Sequence, residues 1–544
     1  RDMSCKLTDV ATQRFMDNIT SITPGVLKGG IAAVDRHPTR DEIVIGGADG
    51  IPKVYRMNRL TKRVIGDDAN LIRELPKMPG RVQSVVVSTD GKRIAAVSSL
   101  DGQGFLSVYS YEFDTSQPPN IKAIVSKVVT SQSKEEKDTL REHVTKNVKQ
   151  ISDSKIDTGG VYAVDFHPTG NYLATGGTDG LIRIINSETG EINQRIRTVE
   201  ITSETNKAQA KNWQFSALNP AKPNPKLAAS QSAPSELLIS PASISFRSPV
   251  DYAQMVVQAK YPDGQIVDVT HDCKIVSDTL SVNVNQTLIE AGPVGTGNLN
   301  IEYQGLEKSL GIDVNYANQS FTPNFIQHVN PVLTKLGCNA GTCHGSQGGK
   351  KGFKLSLRGY DPIYDIRAFT DDMASRRTNL SAYAESMMLL KPTGQIPHEG
   401  GKLINRDDRY YSLIHQWIKN GAKLDQSVAK VETIELFPKN PIMADSGWNQ
   451  QMRVMANYSD GSSKDVTREA VIEIGDIEIA AINGSVVTAL RRGESAALAR
   501  YEGAFTATTI TVMGNRDNFV WKKPEVWGEI DKLVADKWER MKIT

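Results

Sequence analysis

The strongest constraint on this chain is that it repeats itself on two different plans. Residues 29–57, GGIAAVDRHPTRDEIVIGGADGIPKVYRM, alternate apolar and polar positions around a tight turn. Residues 159–187, GGVYAVDFHPTGNYLATGGTDGLIRIINS, repeat this almost position by position, and residues 80–109, GRVQSVVVSTDGKRIAAVSSLDGQGFLSVY, keep the same order with a looser turn. Period-two alternation broken by His-Pro or Ser-Thr and then by Asp-Gly predicts strand, turn, strand, turn, strand in each copy. The second plan is shorter. Tyr261-Pro-Asp-Gly-Gln-Ile-Val-Asp-Val-Thr270 matches Tyr458-Ser-Asp-Gly-Ser-Ser-Lys-Asp-Val-Thr467 with identical spacing, after the alternating strands MVVQAKY and MRVMANY. Asp-Gly between two such strands is a hairpin signal.

A chain of 544 residues exceeds what one core supports, and three to five domains are expected. Apolar content of 39% and charged content of 23% describe an ordinary globular protein. A formal charge of +2 offers nothing to attract nucleic acid or an anionic membrane. No run approaches the ~18 apolar residues of a spanning helix. The chain starts inside a repeat-like pattern and ends inside a helical one, so it reads as a fragment.

The three longer copies resemble WD-repeat β-propeller blades, with the terminal Trp-Asp replaced, as by Val54-Tyr55-Arg56. They begin at residues 29, 80 and 159, farther apart than the usual ~40–45, and the charged stretch 132–152 reads as a helical insertion. Residues 1–200 thus supply roughly three and a half blades of a partial propeller. Residues 201–236, rich in Ala, Asn, Pro, Ser and Lys, read as a linker. Two β-sandwiches are expected at about 237–316 and 430–514. They resemble bacterial immunoglobulin-like domains of the group 2 type, where Tyr-x-Asp-Gly followed by Asp-Val-Thr is characteristic, and no chemistry is expected in them. Residues 515–544 carry apolar residues at helical spacing (Ile530, Leu533, Val534, Trp538, Met541) and read as the first helix of a further domain. The fold class expected is multidomain and mostly β (a partial propeller and two sandwiches), with one mainly α domain at 320–426 that holds the cysteine pair Cys338 and Cys343.

Four cysteines cannot define a disulfide framework in so long a chain. Cys5 and Cys273 lie apart in β-rich segments and read as small buried apolar residues. Cys338 and Cys343 lie together, and His344 follows at once, as GCNAGTCHG. Covalent haem needs two thiols to add to the porphyrin vinyl groups and an imidazole beside the second thiol to reach the iron. The commonest spacing puts two residues between the cysteines; here four intervene, and their small side chains let the longer loop bulge. A structural zinc site wants four ligands, and no second Cys or His pair stands nearby. A redox dithiol wants C-x-x-C in a βαβ context, which is also absent. A second axial ligand, His or Met, is sought downstream. In LLKPTGQIPHEGGKLINRDDRYYSLIHQWIKNGAKL the closing amphipathic helix is carried by Tyr411, Leu413, Ile414, Trp417, Ile418 and Gly421. His398 lies in the Pro-Gly loop before it and is the nominated distal ligand, with Met387 or Met388 as alternatives. Phe353, Leu355 and Leu357 could line the haem or simply pack as a strand, and Arg358 could meet a propionate. His328 and His415 read as structural, as do His37 and His167 in the His-Pro turns, whereas His143 and His271 read as surface groups.

The order of modules, with GCNAGTCHG, KPTGQIPHEGG and EIDKLVADKWERMKI, resembles the planctomycete-type cytochrome c multidomain proteins along essentially the whole chain. The resemblance implies that Cys338 and Cys343 bind one haem c, that His344 ligates its iron, and that the protein is periplasmic or on the cell surface. His398 carries over from the PHEGG loop alone. The expected activity is electron transfer to a redox partner protein or domain, with no catalytic constellation in the chain itself and a possible protein partner at the propeller. The rivals are a redox accessory to an enzyme domain outside the chain and a cell-surface interaction scaffold.

Overall fold

A computed structural model describes residues 4–20, 30–62, 64, 67–197, 215, 224, 233–316, 321–372, 376–514 and 519–543. The chain is mostly β, built from many small antiparallel sheets, and divides into two compact units. The first comprises Arg1–Gln209, Ile363–Lys402 and Ile414–Leu424; the second comprises Ala210–Pro362, Leu403–Leu413 and Asp425–Thr544. Among the described residues no helix is long and apolar enough to cross a membrane.

In the first unit the longer repeat yields three four-stranded antiparallel sheets, each a simple meander. Their strands are Ile31–Arg36, Glu42–Gly47, Lys53–Arg56 and Leu71–Glu74; Arg81–Val87, Arg93–Leu100, Gln103–Ser110 and Gln150–Ile156; and Val161–Phe166, Tyr172–Gly177, Leu181–Asn186 and Ile192–Arg197. The ribbon Lys6–Thr8 with Phe15–Asn18 precedes them. All three first strands slip register one residue after their start, at Ile31/Ala33, Val82/Ser84 and Val161/Ala163, as expected of copies of one plan. Alternation sends Val44, Val54, Val82, Ile94 and Tyr109 into one cluster and Val97, Leu106, Val164, Leu173 and Ile185 into the next. Full burial of each such side chain stabilises by about 1.5–3 kcal/mol. His37 pins the first His-Pro turn: its Nδ1 accepts from the Thr39 and Arg40 amides (3.1 and 3.0 Å) while Nε2 lies 3.1 Å from the Gly91 carbonyl.

The insertion expected at 132–152 is shorter than the charge pattern suggested. Helix α1 spans Pro119–Val125, and α2 spans Lys134–Thr145, opened by a Ser133/Glu136 capping box. Asn147 then takes φ +57, and from Gln150 the chain is a strand paired with Gln103–Ser110. This strand, QISDSKI, is polar at most positions because it is the outer one of its sheet.

In the second unit the shorter repeat yields two copies of one topology. The first has sheets ordered Glu236–Ser240, Val256–Lys260, Ile266–Asp268; Ile244–Phe246, Leu306–Val314, Gly295–Tyr303, Lys274–Ser277; and Tyr252–Gln254, Leu288–Ala291, Val282–Asn285. The second, over Val431–Val512, has the same three sheets in the same orders, including the single parallel pairing. The motif residues do the same work in both. Thr270 and Thr467 each accept, through Oγ1, the amide of a neighbouring strand, Val257 or Val454, at 2.8 Å. Asp268 and Asp465 each accept the amide of that threonine, at 2.9 and 3.0 Å. Gly264 and Gly461 take φ +86 and +80 at the hairpin tips, where a side chain would be strained.

The two copies also grip each other through one contact run in both directions. Asp268 Oδ2 accepts from Gln451 N (2.9 Å) and Gln450 Nε2 (2.6 Å), and Asp465 Oδ2 accepts from Gln254 N (2.9 Å). Gln254 and Gln451 are themselves equivalent positions. The symmetry fails at two places: Ala253 stands where the second copy has Gln450, and Asp465 also pairs with Arg453 at 2.7 Å, where the first copy has Val256. Without that cation, burial pushes the Asp268 carboxyl up to about 7 against its backbone donors at Thr270 and Gln451. The folded chain then keeps a proton that the unfolded chain, with a carboxyl near 3.8, gives up. This stabilising term is complete below about pH 4 and is lost as pH rises past about 7, at about 1.4 kcal/mol per pH unit between. Asp268→Asn is expected to shrink the loss of thermal stability between pH 5 and 7.5 relative to the native chain. Equal pH slopes in the two proteins would remove Asp268 as its source.

Two of the expected segments can be followed among the described residues. The stretch 201–236 is not wholly a linker. Most of it lies outside the described residues, but Phe215 N donates to Glu290 Oε1 at 2.6 Å and its ring stands edge-on to Tyr252 and Tyr410. Asn224 bridges both copies, donating to the Asp268 carbonyl (2.6 Å) and accepting from the Asn449 amide (2.6 Å). Nor does 320–426 close as one mainly α domain. Its helices are the short Phe325–Val329 and α3 (Asn330–Lys335), α4 (Pro362–Thr370), α5 (Met387–Leu390) and α6 (Arg409–Lys419), and residues 363–402 and 414–424 cluster with the first unit. Helices of four to eleven residues are too short to be stable on their own and depend on the packing around them.

Candidate functional site

The Cys338–His344 loop starts where a helix stops. Asn324 caps it, its side chain accepting from the Ile326 and Gln327 amides at 2.7 and 3.2 Å, and Phe325, Val329, Val332 and Leu333 form a buried stripe running into α3. Gly337, at φ +76, ends the helix, and the Cys338 amide donates to the Leu333 carbonyl at 2.9 Å. The chain then doubles back: Cys343 N reaches Ala340 O (2.9 Å), His344 N reaches Cys338 O (3.0 Å) and Gly345 N reaches Ala340 O (3.1 Å). A Cβ at position 345 would collide with the Asn339 carbonyl, so the tight return behind the histidine requires glycine. Buried Asn339 braces the loop, donating to Thr334 Oγ1 at 2.8 Å and accepting the Arg358 amide at 2.9 Å.

The loop sets two of its reactive side chains, His344 and Cys338, in a definite chemical state. His344 Nδ1 lies 3.2 Å from the Phe353 carbonyl, and the two rings are 4.6 Å apart. A carbonyl only accepts, so Nδ1 carries the proton and Nε2 the lone pair, the nitrogen a metal takes. Cys338 and Cys343 are half-buried and not joined in a disulfide. Burial, and next the neighbouring Cys343, push the Cys338 thiol up to about 12, so it stays S–H at neutral pH. A redox dithiol or thiolate nucleophile needs the opposite shift. Among the described residues no group of three or more His, Cys, Asp or Glu side chains is placed to hold a metal ion. Two unoxidised cysteines on one turn, next to an imidazole of fixed tautomer, are what a covalently tethered haem asks of the protein, and the loop fits that group.

Cys338, Cys343 and His344 are thus brought together in the second unit, whereas His398 and Met387 belong to the first. His398 is half-buried in a turn closed by Gly401, whose amide donates to the His398 carbonyl (2.9 Å) while His398 Nδ1 lies 2.9 Å from the Gly401 carbonyl. Its Nε2 is therefore left with the lone pair, as in His344. Met387 opens α5 half-buried, and Met388 and Leu389 are buried. The Phe353–Leu357 stretch forms no strand beyond a single bridge from Lys350 to Phe353. Leu355 is buried, while Leu357 is exposed.

The remaining histidines hold structure. Burial pushes His328 down to about 3, and its Nδ1 accepts the Asn324 amide at 3.1 Å. His415 is buried edge-on to Tyr383. His271, expected at the surface, lies half-buried with Nε2 3.1 Å from Gln451 Oε1, because its strand end meets the other copy. Sequence reasoning also missed a cavity of about 510 Å³ between the twin copies, lined by Tyr252, Arg409, Arg453, Lys464, Glu469 and Tyr501 among others. Tyr252 OH donates to Glu469 Oε2 there at 2.6 Å. No spacing in the chain announces it, since its walls come from segments some two hundred residues apart.

With that geometry described, comparison adds one finding. Residues 137–186 match the family model described as WD domain, G-beta repeat. The matched span runs from α2 through Gln150–Ile156 and the first three strands of the third sheet. No curated protein matches the chain.

Proposed function

We propose that this chain is an electron-transfer module carrying one haem c, tethered through Cys338 and Cys343 with His344 as proximal iron ligand, within an extracytoplasmic multidomain protein. The observation that carries the reading is the His344 Nδ1 contact to the Phe353 carbonyl beside two unoxidised thiols. Bound there, haem supplies a one-electron couple at its iron. The chain's own part is to set both cysteines on one turn and to hold the imidazole in one tautomer and orientation. His398, with the same carbonyl-fixed Nδ1, would be the second residue to hold the iron in this reading, ahead of Met387. The three four-stranded sheets act as a partial propeller and the twin β-domains as immunoglobulin-like spacers. The resemblance to cytochrome c multidomain proteins supports a periplasmic or cell-surface location.

A pyridine haemochrome spectrum on protein exported together with the haem-attachment machinery tests the proposal, and a spectrum without c-type bands ends it. Given haem, His398→Ala is expected to turn a low-spin spectrum largely high-spin, while Met387→Ala leaves it low-spin; the reverse result transfers the ligand to Met387. The WD match favours a second reading, an interaction scaffold in which haem only stabilises its surroundings. A reversible redox titration argues against that reading, and a redox-inert haem argues for it.

A further inference from the structure

The three sheets of the first unit each carry an Asp-Gly turn between their second and third strands, at Asp49, Asp101 and Asp179. In two of them the aspartate is paired within its own repeat, four residues on. Asp49 meets Lys53 at 2.7 Å, and Asp179 meets Arg183. In the middle repeat the fourth residue is Phe105. Asp101 instead receives a two-pronged contact from Arg367, 266 residues away, at 2.9 and 3.3 Å.

The neighbouring contacts converge on the same short segment. Tyr162 OH donates to the Thr370 carbonyl at 2.5 Å, and Gln83 Nε2 donates to the Asp371 carbonyl at 3.2 Å. Arg81 pairs with Asp372 at 3.1 Å, and Ser381 Oγ donates to the Thr178 carbonyl at 3.3 Å. Of the carbonyls that α4 leaves without a partner at its end, that of Thr370 takes its donor from the third sheet, and that of Asp371, just past the helix, takes one from the second. Arg81 also places a positive charge at that end, where the helix dipole favours one. Alone, a helix of nine residues is marginal in water, so its form depends on this seat. Glycine makes the approach possible: at Gly180, φ +71, a Cβ would strike Ser381.

We propose that this rim of the second and third sheets is an intramolecular docking site whose occupant is segment 363–402 of the same chain, latched by Arg367 on Asp101. Through that latch the sheets hold in place the loop bearing Met387 and His398. The positioning role rests on the haem reading; the docking does not. A propeller rim committed to its own chain works as a brace for the ligand loop rather than as a surface for another protein.

Hydrogen exchange on the haem-free full chain tests the docking. Asp101→Ala and Arg367→Ala are each expected to speed exchange of the 363–372 amides by about tenfold. The swap of Asp101→Arg with Arg367→Asp should restore protection, which also answers the case where a single variant misfolds. Arg247→Ala, which breaks the exposed pair with Asp313 (2.7 Å), serves as control and should change nothing in 363–372. Native-like exchange in both single variants, or no rescue by the swap, overturns the docking site. On haem-loaded chain the same single variants should raise the high-spin fraction. Faster exchange with an unchanged spectrum overturns the positioning role, and a chain that takes up no haem refutes the haem reading and the positioning role while the exchange data still decide the docking.

Discussion

Replacing Cys338 and Cys343 together by Ser is expected to leave the exported chain with no covalent haem. Its intact mass after denaturation should equal that of the polypeptide, where the native chain should carry the mass of one haem. The effect is all-or-none because both attachment points sit on the one turn held by the Cys343–Ala340 and His344–Cys338 backbone bonds, and serine hydroxyls do not add to vinyl groups under the same conditions. Each single Ser variant keeps one tether, so reduced loading is expected there. Full loading of the double variant would disprove thioether attachment at this loop. The fold should be little changed, since Ser differs from a half-buried Cys by one atom.

The second large effect is on stability. Trp417→Ala should destabilise the segment around α6 by about 3–5 kcal/mol, the usual cost of deleting a large buried aromatic. Trp417 is only 2% exposed, and its Nε1–H donates to the Lys423 carbonyl at 3.1 Å. The same stretch forms the helix stop, with Gly421 N to Ile418 O at 2.9 Å and Ala422 N to Trp417 O at 3.0 Å. Losing the indole therefore opens a cavity and strips a carbonyl of its donor together. Trp417→Phe keeps most of the volume and should lose less than half as much. Urea titration read through exchange protection of residues 409–424 measures both, and avoids treating a multidomain chain as two-state. Equal stability of the Ala variant would mean the side chain is not packed as described.

What the sequence made legible follows from what is local. Period-two alternation and Asp-Gly turns announce strands and their tips, so both repeat families were readable before any coordinates. Cys338, Cys343 and His344 stood out because they lie together in the chain, as the proposed haem attachment would require. The seat of 363–402 was not readable, since Arg367 and Asp101 are matched by charge across 266 residues and no periodicity marks such a pair. The clue available was negative: Phe105 stands where the other two repeats place a cation. The anchoring of Phe215 and Asn224 was hidden in the same way, as single residues fixed by distant partners inside a stretch whose composition suggests looseness. The outer strand Gln150–Ile156 was missed because a strand with one neighbour has little apolar face to reveal.

The reciprocal grip of the twin β-domains has a consequence for the order in which a nascent chain becomes structured. Gln254 meets Asp465 across 211 residues, so the earlier domain waits for the later one to be synthesised before this contact can close. At about 5–20 residues per second that wait lasts roughly 10–40 s. The cysteine loop is encoded between the two, and it emerges during the wait. Whatever must reach its thiols thus meets them before the flanking domains clasp.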